Sequence, residues 1–259
     1  MLYLASVHAL TRSENIMILR SLSVAFLALS AQTASGQQAL ISQAGMAAQS
    51  NLDALVAGSP TVVPRGGSEG VMGSPYVDNR WLPAYITLAN KVPLAPIPLK
   101  YDVLNRRLLM RPITRPNDSL QLDDQRVVRF ELEEPSSAQS KTRRVFRRFE
   151  EAPEPKYRAS YVEVLHEGRY SLLKHYNKVL RKANNSAAYS TGERYDELED
   201  KNTYYLRLPN ATAIPIKLNS KALQSAAPAL ATKLRESAAA KTAKTDVEWV
   251  AVLEAIDPK

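Results

Sequence analysis

Hydrophobic and polar residues alternate through much of the chain between residues 76 and 218. In residues 82–88, for example, Leu, Ala, Ile and Leu occupy every second position. A period of two with one apolar face is typical of a half-buried antiparallel strand. The same alternation, regular in some segments and weaker in others, predicts further strands at 97–104, 107–111, 127–132, 161–165, 170–176, 203–208 and 214–218.

Turn residues and prolines lie between and within these strands. Asn105 and Arg106 predict a tight hairpin turn, since asparagine tolerates the left-handed backbone conformation. Gly168, in the segment His166–Arg169, predicts a second turn and can take a positive φ. Proline cannot donate to a ladder, so the prolines predict edge strands and short connections. They are Pro83, Pro93, Pro96, Pro98 and Pro215.

After Leu218 the hydrophobic spacing becomes helical. Ser220 is the predicted N-cap of a first helix, and Pro228 predicts a break followed by a new first turn. Thr245 and Glu248 form a capping box ahead of a last apolar stripe.

Together these patterns predict an α+β fold. Its β domain, residues 75–218, is expected to be an antiparallel β-meander of roughly seven to nine strands, shaped as a curved sheet or half-barrel. Two or three short C-terminal helices in residues 219–259 are expected to pack on that sheet, because their apolar stripes need a surface to cover them.

A different pattern precedes the β domain. Residues 37–74 begin with an Ala- and Gln-rich segment of helical spacing and end in a Gly- and Pro-rich linker. Four glycines in residues 66–73 resemble a phosphate-binding loop, but Glu69 adds the wrong charge and no Lys-Ser or Lys-Thr pair follows. The linker interpretation is therefore favoured.

Residues 1–36 have the order of a secretory signal peptide. A short basic segment, Met17–Arg20, precedes the apolar stretch Ser21–Ala31, and small residues follow. Cleavage is expected near Gly36 and Gln37, and Met17 is a possible true start. The eleven residues of the apolar stretch are too few for a transmembrane anchor, which takes roughly 20 residues.

Composition removes several classes of chemistry. The chain has 259 residues, no cysteine, three histidines and nine glycines. Disulfides, thiolate metal sites, thiol nucleophiles and lipoprotein anchoring all require cysteine, so they are excluded. The two histidines of the predicted mature chain do not support a Ser-His-Asp grouping. The expectation is a protein without cofactors.

The histidines and carboxylates leave weaker alternatives. His166 and His175 could ligate a metal together with Glu163 or Glu167, although packing beside tyrosines is the commoner role for such histidines. The carboxylate pairs are adjacent in sequence, so on strands their members point to opposite faces. They are Asp123-Asp124, Glu133-Glu134 and Glu150-Glu151.

The most distinctive charged segment is a cationic strip in residues 141–149, a candidate site for polyanions such as lipid phosphates or acidic glycans. The alternative is an edge strand protected from aggregation by its charge and paired with the acidic residues of 131–134. The strip consists of Lys141, Arg143, Arg144, Arg147 and Arg148.

Several segments also carry a family pattern. Residues 161–176 read YVEVLHEGRYSLLKHY, Tyr204-Tyr205-Leu206 form a second step, and Ile216–Leu223 lead into a helix. Together with Gly73–Val77 and Leu99–Asp102, they resemble a family of uncharacterised exported proteins of Gram-negative bacteria. The resemblance spans about residues 73–256, except that Ala238–Ala240 replace charged residues. It implies export and a β-rich fold, and it supplies no catalytic residue.

Three functions follow as hypotheses. The favoured one is an exported, soluble, non-enzymatic protein of the cell envelope, in the periplasm or outside the cell, that binds an envelope protein or lipid and no nucleic acid. The second is a carrier of an apolar or lipid ligand enclosed between sheet and helices. The third is a hydrolase of an envelope polymer, which would need converging carboxylates.

Overall fold

The structure is a computed structural model that describes residues 45–56, 71–112, 116–135, 142–183 and 195–258. The predicted signal peptide, most of the predicted linker and Lys141 lie outside these residues. The chain divides into two compact units, Met1–Ser50 and Asn51–Lys259. Residues 45–56 form a helix, α1, where helical spacing predicts one. Within the described ranges, no helix is long and apolar enough to cross a membrane.

The main sheet contains ten antiparallel strands and is not closed, so the predicted α+β class is confirmed. Its spatial order is β13-β12-β9-β8-β7-β6-β2-β3-β4-β5. The strands are β2 (Leu82–Leu88), β3 (Ile97–Asp102), β4 (Arg107–Met110), β5 (Leu120–Gln121), β6 (Val127–Glu134), β7 (Thr142–Arg148), β8 (Tyr161–Glu167), β9 (Ser171–His175), β12 (Thr203–Arg207) and β13 (Ala213–Ile216).

A smaller sheet, which the alternation did not predict, has the order β1-β11-β10. It consists of β1 (Val71–Met72), β10 (Lys178–Arg181) and β11 (Asp196–Asp200). The pairing of β1 with β11 is parallel. Charged and exposed residues dominate β10 and β11, so these strands lack the apolar face that would mark them in the sequence.

Prolines do not mark the sheet edges as predicted. Pro83 and Pro98 are register partners in β2 and β3, which are internal strands. The edge prediction is wrong for both, and they are tolerated where the β2–β3 ladder is only three register pairs long. It is confirmed for Pro215, because β13 is the last strand of the sheet.

The first predicted hairpin turn joins β3 to β4, but a different residue takes the left-handed conformation. Arg106 has a φ of 53°, whereas the Asn105 side chain donates to the carboxylate of Asp102 at 2.8 Å. Asp102 also accepts the Asn105 N–H at 3.0 Å and Arg107 Nε at 3.0 Å. The asparagine therefore holds the turn through hydrogen bonds of its side chain and its N–H, and not by taking the left-handed conformation.

Four short helices follow the sheet: α2 (Ser220–Ala226), α3 (Ala231–Glu236), α4 (Ala238–Thr242) and α5 (Asp246–Ile256). Asn219 rather than Ser220 is the N-cap of α2, and its side chain accepts the Ala222 N–H. A 3-10 turn, Pro228–Leu230, separates α2 from α3, as Pro228 predicts. The capping box of Thr245 and Glu248 is confirmed at the start of α5. Ser237 caps α4, which accounts for one helix more than expected.

Two of the three hydrophobic cores in the described residues lie on the same face of the main sheet, and the third, around Phe149, Val162 and Tyr205, lies on the opposite face. The sheet core combines apolar residues of β2, β3, β4, β6, β7 and β8 with Leu52 and Leu55 of α1, and Phe130 stacks on Phe146 with ring centroids 4.9 Å apart. The helix core combines Leu172 and Leu206 of the sheet with α2–α5, including the fully buried Trp249. The C-terminal helices therefore pack on the sheet.

One row of register partners connects the two cores on a single face. It runs through Ile86, Phe130, Phe146, Glu163, Lys174, Tyr204 and Ile216. Directly opposite residues of an antiparallel pair share a face, so the row is apolar at both ends and polar at its centre.

The polar centre is buried and closely hydrogen bonded. Arg144 binds Glu163 in a bidentate pair, Nε to Oε1 at 2.7 Å and Nη2 to Oε2 at 3.0 Å, and also donates to the Tyr176 hydroxyl at 2.8 Å. Burial raises the pKa of Tyr176, and the charge of Glu163 raises it further. Burial lowers the pKa of Arg144, but the hydrogen bonds and charge of Glu163 outweigh this effect and the pKa rises.

The second predicted turn, between β8 and β9, requires glycine because another chain segment approaches it closely. Gly168 has no positive φ, so the predicted reason for the glycine is wrong. A Cβ there would lie 2.4 Å from the carbonyl oxygen of Asp257 and 2.8 Å from His166 Nε2. Asp257 follows α5, and its carboxylate accepts the Tyr170 N–H at 2.8 Å. The glycine thus allows the end of α5 to rest on the turn.

We expect Gly168→Ala to destabilise the protein by about 1–3 kcal/mol, the range for inserting a methyl group into a packed site. The added Cβ meets a backbone oxygen, which cannot move as a flexible side chain would. Urea unfolding followed by circular dichroism measures this loss. Gly45→Ala is the matched control, because nothing lies within 4 Å of its new Cβ. Equal stabilities of the two variants would contradict the explanation.

We expect Arg144→Met to lower the free energy of unfolding by about 3–5 kcal/mol, because it leaves the Glu163 carboxylate buried without its cation. The Glu163 side chain is 7% exposed and that of Arg144 is 18% exposed. A double-mutant cycle with Glu163→Met should show strong coupling. Arg143→Met, on the opposite face of β7 and 42% exposed, is the control and should lose about 0–1 kcal/mol.

Candidate functional site

A pocket of about 510 Å³ opens on the outer side of β2, β3 and β4. This volume lies within the range of about 300–1,000 Å³ that is typical of small-molecule sites. The described residues that line it combine two cations, two aromatic rings, two amides and two hydroxyls. The lining consists of Gly73, Ser74, Tyr76, Asn79, Trp81, Lys100, Arg111, Pro116, Asn117 and Ser119.

The sheet register brings the cations to the aromatic rings. Leu82 and Leu99 are register partners facing the sheet core, so Trp81 and Lys100, each one residue away, lie next to each other on the outer side. Arg111 follows β4, and its N–H donates to the carbonyl oxygen of Pro98 at 3.0 Å. This hydrogen bond holds Arg111 beside β3, next to Trp81 and Lys100.

Both cations contact the indole ring of Trp81. Lys100 Nζ lies 5.0 Å from the Trp81 ring centroid and 4.7 Å from that of Tyr76, and Arg111 Cζ lies 4.7 Å from the Trp81 centroid. These distances are typical of cation–π interactions. The aromatic rings therefore position two positive charges at the wall of one pocket.

Neither Lys100 nor Arg111 forms an ion pair with a carboxylate in the part of the chain that the structure describes. The neighbouring Asp78 is bound to Arg80, with Nη2 to Oδ2 at 2.7 Å. The buried Asp102 is bound to Arg107. Both of these carboxylates are therefore engaged by other arginines, and neither cation of the pocket lining is neutralised by an ion pair with them.

Burial lowers the pKa of Lys100, and the adjacent charge of Arg111 lowers it further. Both effects mean that the charged form of Lys100 is held in an unfavourable environment. An anion bound between Lys100 and Arg111 would offset the repulsion between the two cations, so the arrangement suits an anion site.

A second pocket, of about 450 Å³ beside β7–β9, lacks this excess of positive charge. Its Arg147 donates to Glu151 Oε2 at 2.9 Å, and Arg207 lies 3.5 Å from Glu151 Oε1. The charges in that pocket thus largely neutralise one another. The pocket at Trp81 is the better candidate for binding an anionic ligand.

The predicted cationic strip is not a continuous surface. Its strand, β7, lies between β6 and β8, so the edge-strand alternative is wrong. Successive side chains of a strand point to opposite faces, which separates Arg143 and Arg147 from Arg144 and Arg148. Lys141 lies outside the described residues.

Each described arginine of the strip has a carboxylate partner. Arg143 Nη1 lies 3.3 Å from Glu131, Arg144 binds Glu163 as above, Arg147 binds Glu151, and Arg148 Nη2 lies 3.6 Å from Asp124. Pairing with the acidic residues of β6 is confirmed for Arg143 and for Arg144, whose Nη1 lies 3.6 Å from Glu134. Polyanion binding by the strip stays a prediction.

The two histidines considered as metal ligands lie on opposite faces of the sheet. His166 pairs in register with Leu172 and faces the helix core, whereas His175 pairs with Val162 on the opposite face, where it is buried. The His175 ring lies 4.6 Å from that of Tyr157, and burial lowers its pKa to about 4. Within the described ranges, no three His, Asp or Glu residues cluster as metal ligands would.

Sequence reasoning did not identify Trp81, Lys100 and Arg111 as a site. A signal was present, because the alternation around β2 and β3 assigns Trp81 and Lys100 to the outer face. What the sequence could not provide is the strand order that places β4 beside β3 and brings Arg111 to them.

We expect Lys100→Met to raise the midpoint of thermal unfolding, because it removes a desolvated charge that has no described carboxylate partner. The same reasoning predicts the opposite result for Lys174→Met, since Lys174 Nζ binds Asp246 at 2.6 Å. Circular dichroism at a fixed low ionic strength measures both midpoints. A lower midpoint for Lys100→Met would mean that this lysine serves stability rather than binding.

Comparison with known proteins adds no relative: no family model, no curated protein and no solved structure matches this chain.

Proposed function

We propose that this protein is an exported, non-enzymatic binding protein of the bacterial cell envelope, and that its Trp81 pocket binds the anionic group of a ligand. The observation that carries the binding proposal is the pair of cations, Lys100 and Arg111, held against one indole ring without a described carboxylate partner. Export is supported by the order of basic, apolar and small residues in the first 36 positions.

The pocket lining favours an anionic group over an acyl chain. Asn79, Asn117 and Ser119 contribute amides and a hydroxyl, which would lose hydrogen bonds to water if an acyl chain covered them. The same residues can donate to the oxygens of a phosphate, sulfate or carboxylate. An anionic envelope component is therefore the preferred ligand, and carriage of an apolar ligand is the less favoured proposal.

Isothermal titration calorimetry of the full chain with inorganic phosphate at low ionic strength tests anion binding. We expect a dissociation constant of about 1 mM or below, and a loss of about tenfold or more for Lys100→Met and for Arg111→Met, because each removes a charge-assisted contact. Arg143→Met should bind as the unchanged protein does. Equal affinities of all four proteins, or no heat at millimolar phosphate, would refute the proposal.

As the pH rises, anion binding should begin to weaken at a lower pH than it would if Lys100 had the ordinary lysine pKa. Lys100 is charged only below its pKa, which burial and Arg111 lower. Of the groups facing it, Tyr76 has a pKa that burial raises, and Asp78 has a pKa that the hydrogen bonds from Arg80 lower. The lysine pKa thus moves down while the tyrosine pKa moves up, which favours Lys100 as the group whose charge change affects binding.

Sulfate is the probe for this pH profile, because it does not titrate between pH 7 and pH 11. We expect its affinity to fall as the pH approaches the ordinary lysine pKa of about 10.4 from below. In Lys100→Met the remaining weak affinity should not change over the same range. A fall of equal size in that variant would assign the titration to another group.

A further inference from the structure

We infer that the ligand of the Trp81 pocket is an anionic saccharide: a pyranose ring that carries a phosphate or carboxylate group. This inference rests on the proposed anion binding and adds the chemistry of the group to which the anion is attached. Its basis is the combination of charge, aromatic surface and amides within one pocket.

The pocket is too large for an inorganic anion alone. Its volume is about 510 Å³, whereas a water molecule occupies about 30 Å³ in the liquid. A phosphate group, a few times larger than water, would fill the part next to Lys100 and Arg111 and leave most of the volume to the molecule that carries it. The pocket therefore fits a ligand with a substantial neutral part.

Trp81 suits the apolar face of a sugar ring. Its side chain is only half-buried, so it is the aromatic residue of the lining that a ligand can cover, whereas Tyr76 is buried. The C–H groups on one face of a pyranose form a flat apolar surface that packs against an aromatic ring, while its hydroxyls point outward around the rim. An aromatic wall next to polar groups matches this division of a sugar.

The amides and hydroxyls suit those outward hydroxyls. Each sugar hydroxyl donates and accepts, and so do a carboxamide and a serine hydroxyl. The Ser74 hydroxyl accepts the Tyr76 N–H at 3.2 Å and donates to the side-chain oxygen Oδ1 of Asn79. Among the described residues the Nδ2 group of Asn79 has no acceptor. Asn79, an exposed residue of the pocket lining, therefore has an amide donor available to a ligand.

Charge distinguishes this site from one for a neutral sugar. A neutral saccharide would gain nothing from two cations and would leave both partly desolvated. An acidic saccharide places its anion between Lys100 and Arg111 while its ring covers Trp81. Phosphorylated sugars and uronic acids share this chemistry.

Calorimetry of the full chain with four probes tests the inference: inorganic phosphate, glucose, glucose 6-phosphate and glucuronate. We expect glucose 6-phosphate to bind roughly fivefold to tenfold tighter than phosphate, the gain expected from one aromatic contact with added hydrogen bonds. Glucose alone should bind at least tenfold more weakly than glucose 6-phosphate. Tighter binding of glucuronate than of glucose 6-phosphate would point to a uronic acid, and the reverse order to a sugar phosphate.

Two substitutions separate the sugar contribution from the anion contribution. Trp81→Leu should remove the gain of glucose 6-phosphate over phosphate, whereas Trp81→Phe should retain most of it. Asn79→Ala should reduce the gain of glucose 6-phosphate over phosphate, with both affinities measured in that variant. Thermal unfolding of each variant shows whether it is folded, and the phosphate affinity, measured in the same protein, serves as its internal reference.

The failures of the two proposals are distinguishable. If phosphate binds in a manner that depends on Lys100 and Arg111 but the sugar adds no affinity, the pocket binds anions and the saccharide inference is wrong. A gain that persists in Trp81→Leu would likewise overturn the inference. If no anionic probe binds, the proposed function itself fails.

Discussion

The buried ion pair of Arg144 with Glu163 occupies the boundary between two hydrophobic cores on one face of a single sheet. Its carboxylate is almost completely buried and accepts two hydrogen bonds from the guanidinium. A buried pair of this kind adds little net stability, because desolvation offsets much of the attraction. Its main effect is on register, since a slip of one residue would move the carboxylate to the opposite face and leave the arginine unpaired.

The C-terminal helices depend on the same region of the sheet. Asp246 at the start of α5 binds Lys174 and the Tyr204 hydroxyl, and Asp257 just after α5 accepts the Tyr170 N–H. Lys174 is the register partner of Glu163, so the residue that anchors α5 stands beside the central ion pair. The short helices would not be stable alone. Polar contacts to β9, β12 and the β8–β9 turn hold both ends of α5 on the sheet.

At the Trp81 pocket, on the outer side of the sheet, the charged side chains are paired differently. Along β7 each described arginine is matched by a carboxylate, but at the pocket the nearby carboxylates Asp78 and Asp102 are engaged by Arg80 and Arg107. Lys100 and Arg111 are left with aromatic rings as partners. Two cations held against one ring at the wall of a pocket suit a binding site, where local stability is given up for affinity.

The sequence alone determined the class of the fold, because period-two alternation and capping motifs are local. It located most strands of the main sheet, the break at Pro228 and the capping box of Thr245 and Glu248.

Tertiary structure decided the rest. Pro83 and Pro98 lie inside the sheet because strand order, which no local pattern encodes, makes β2 and β3 internal. Gly168 is needed because Asp257, far away in sequence, packs against it. The arginines of the cationic strip point to opposite faces of β7 and are paired with carboxylates. Trp81, Lys100 and Arg111 come together only because β2, β3 and β4 are neighbours in the sheet. Charge can be counted in a sequence, but its compensation depends on which side chains the fold brings together.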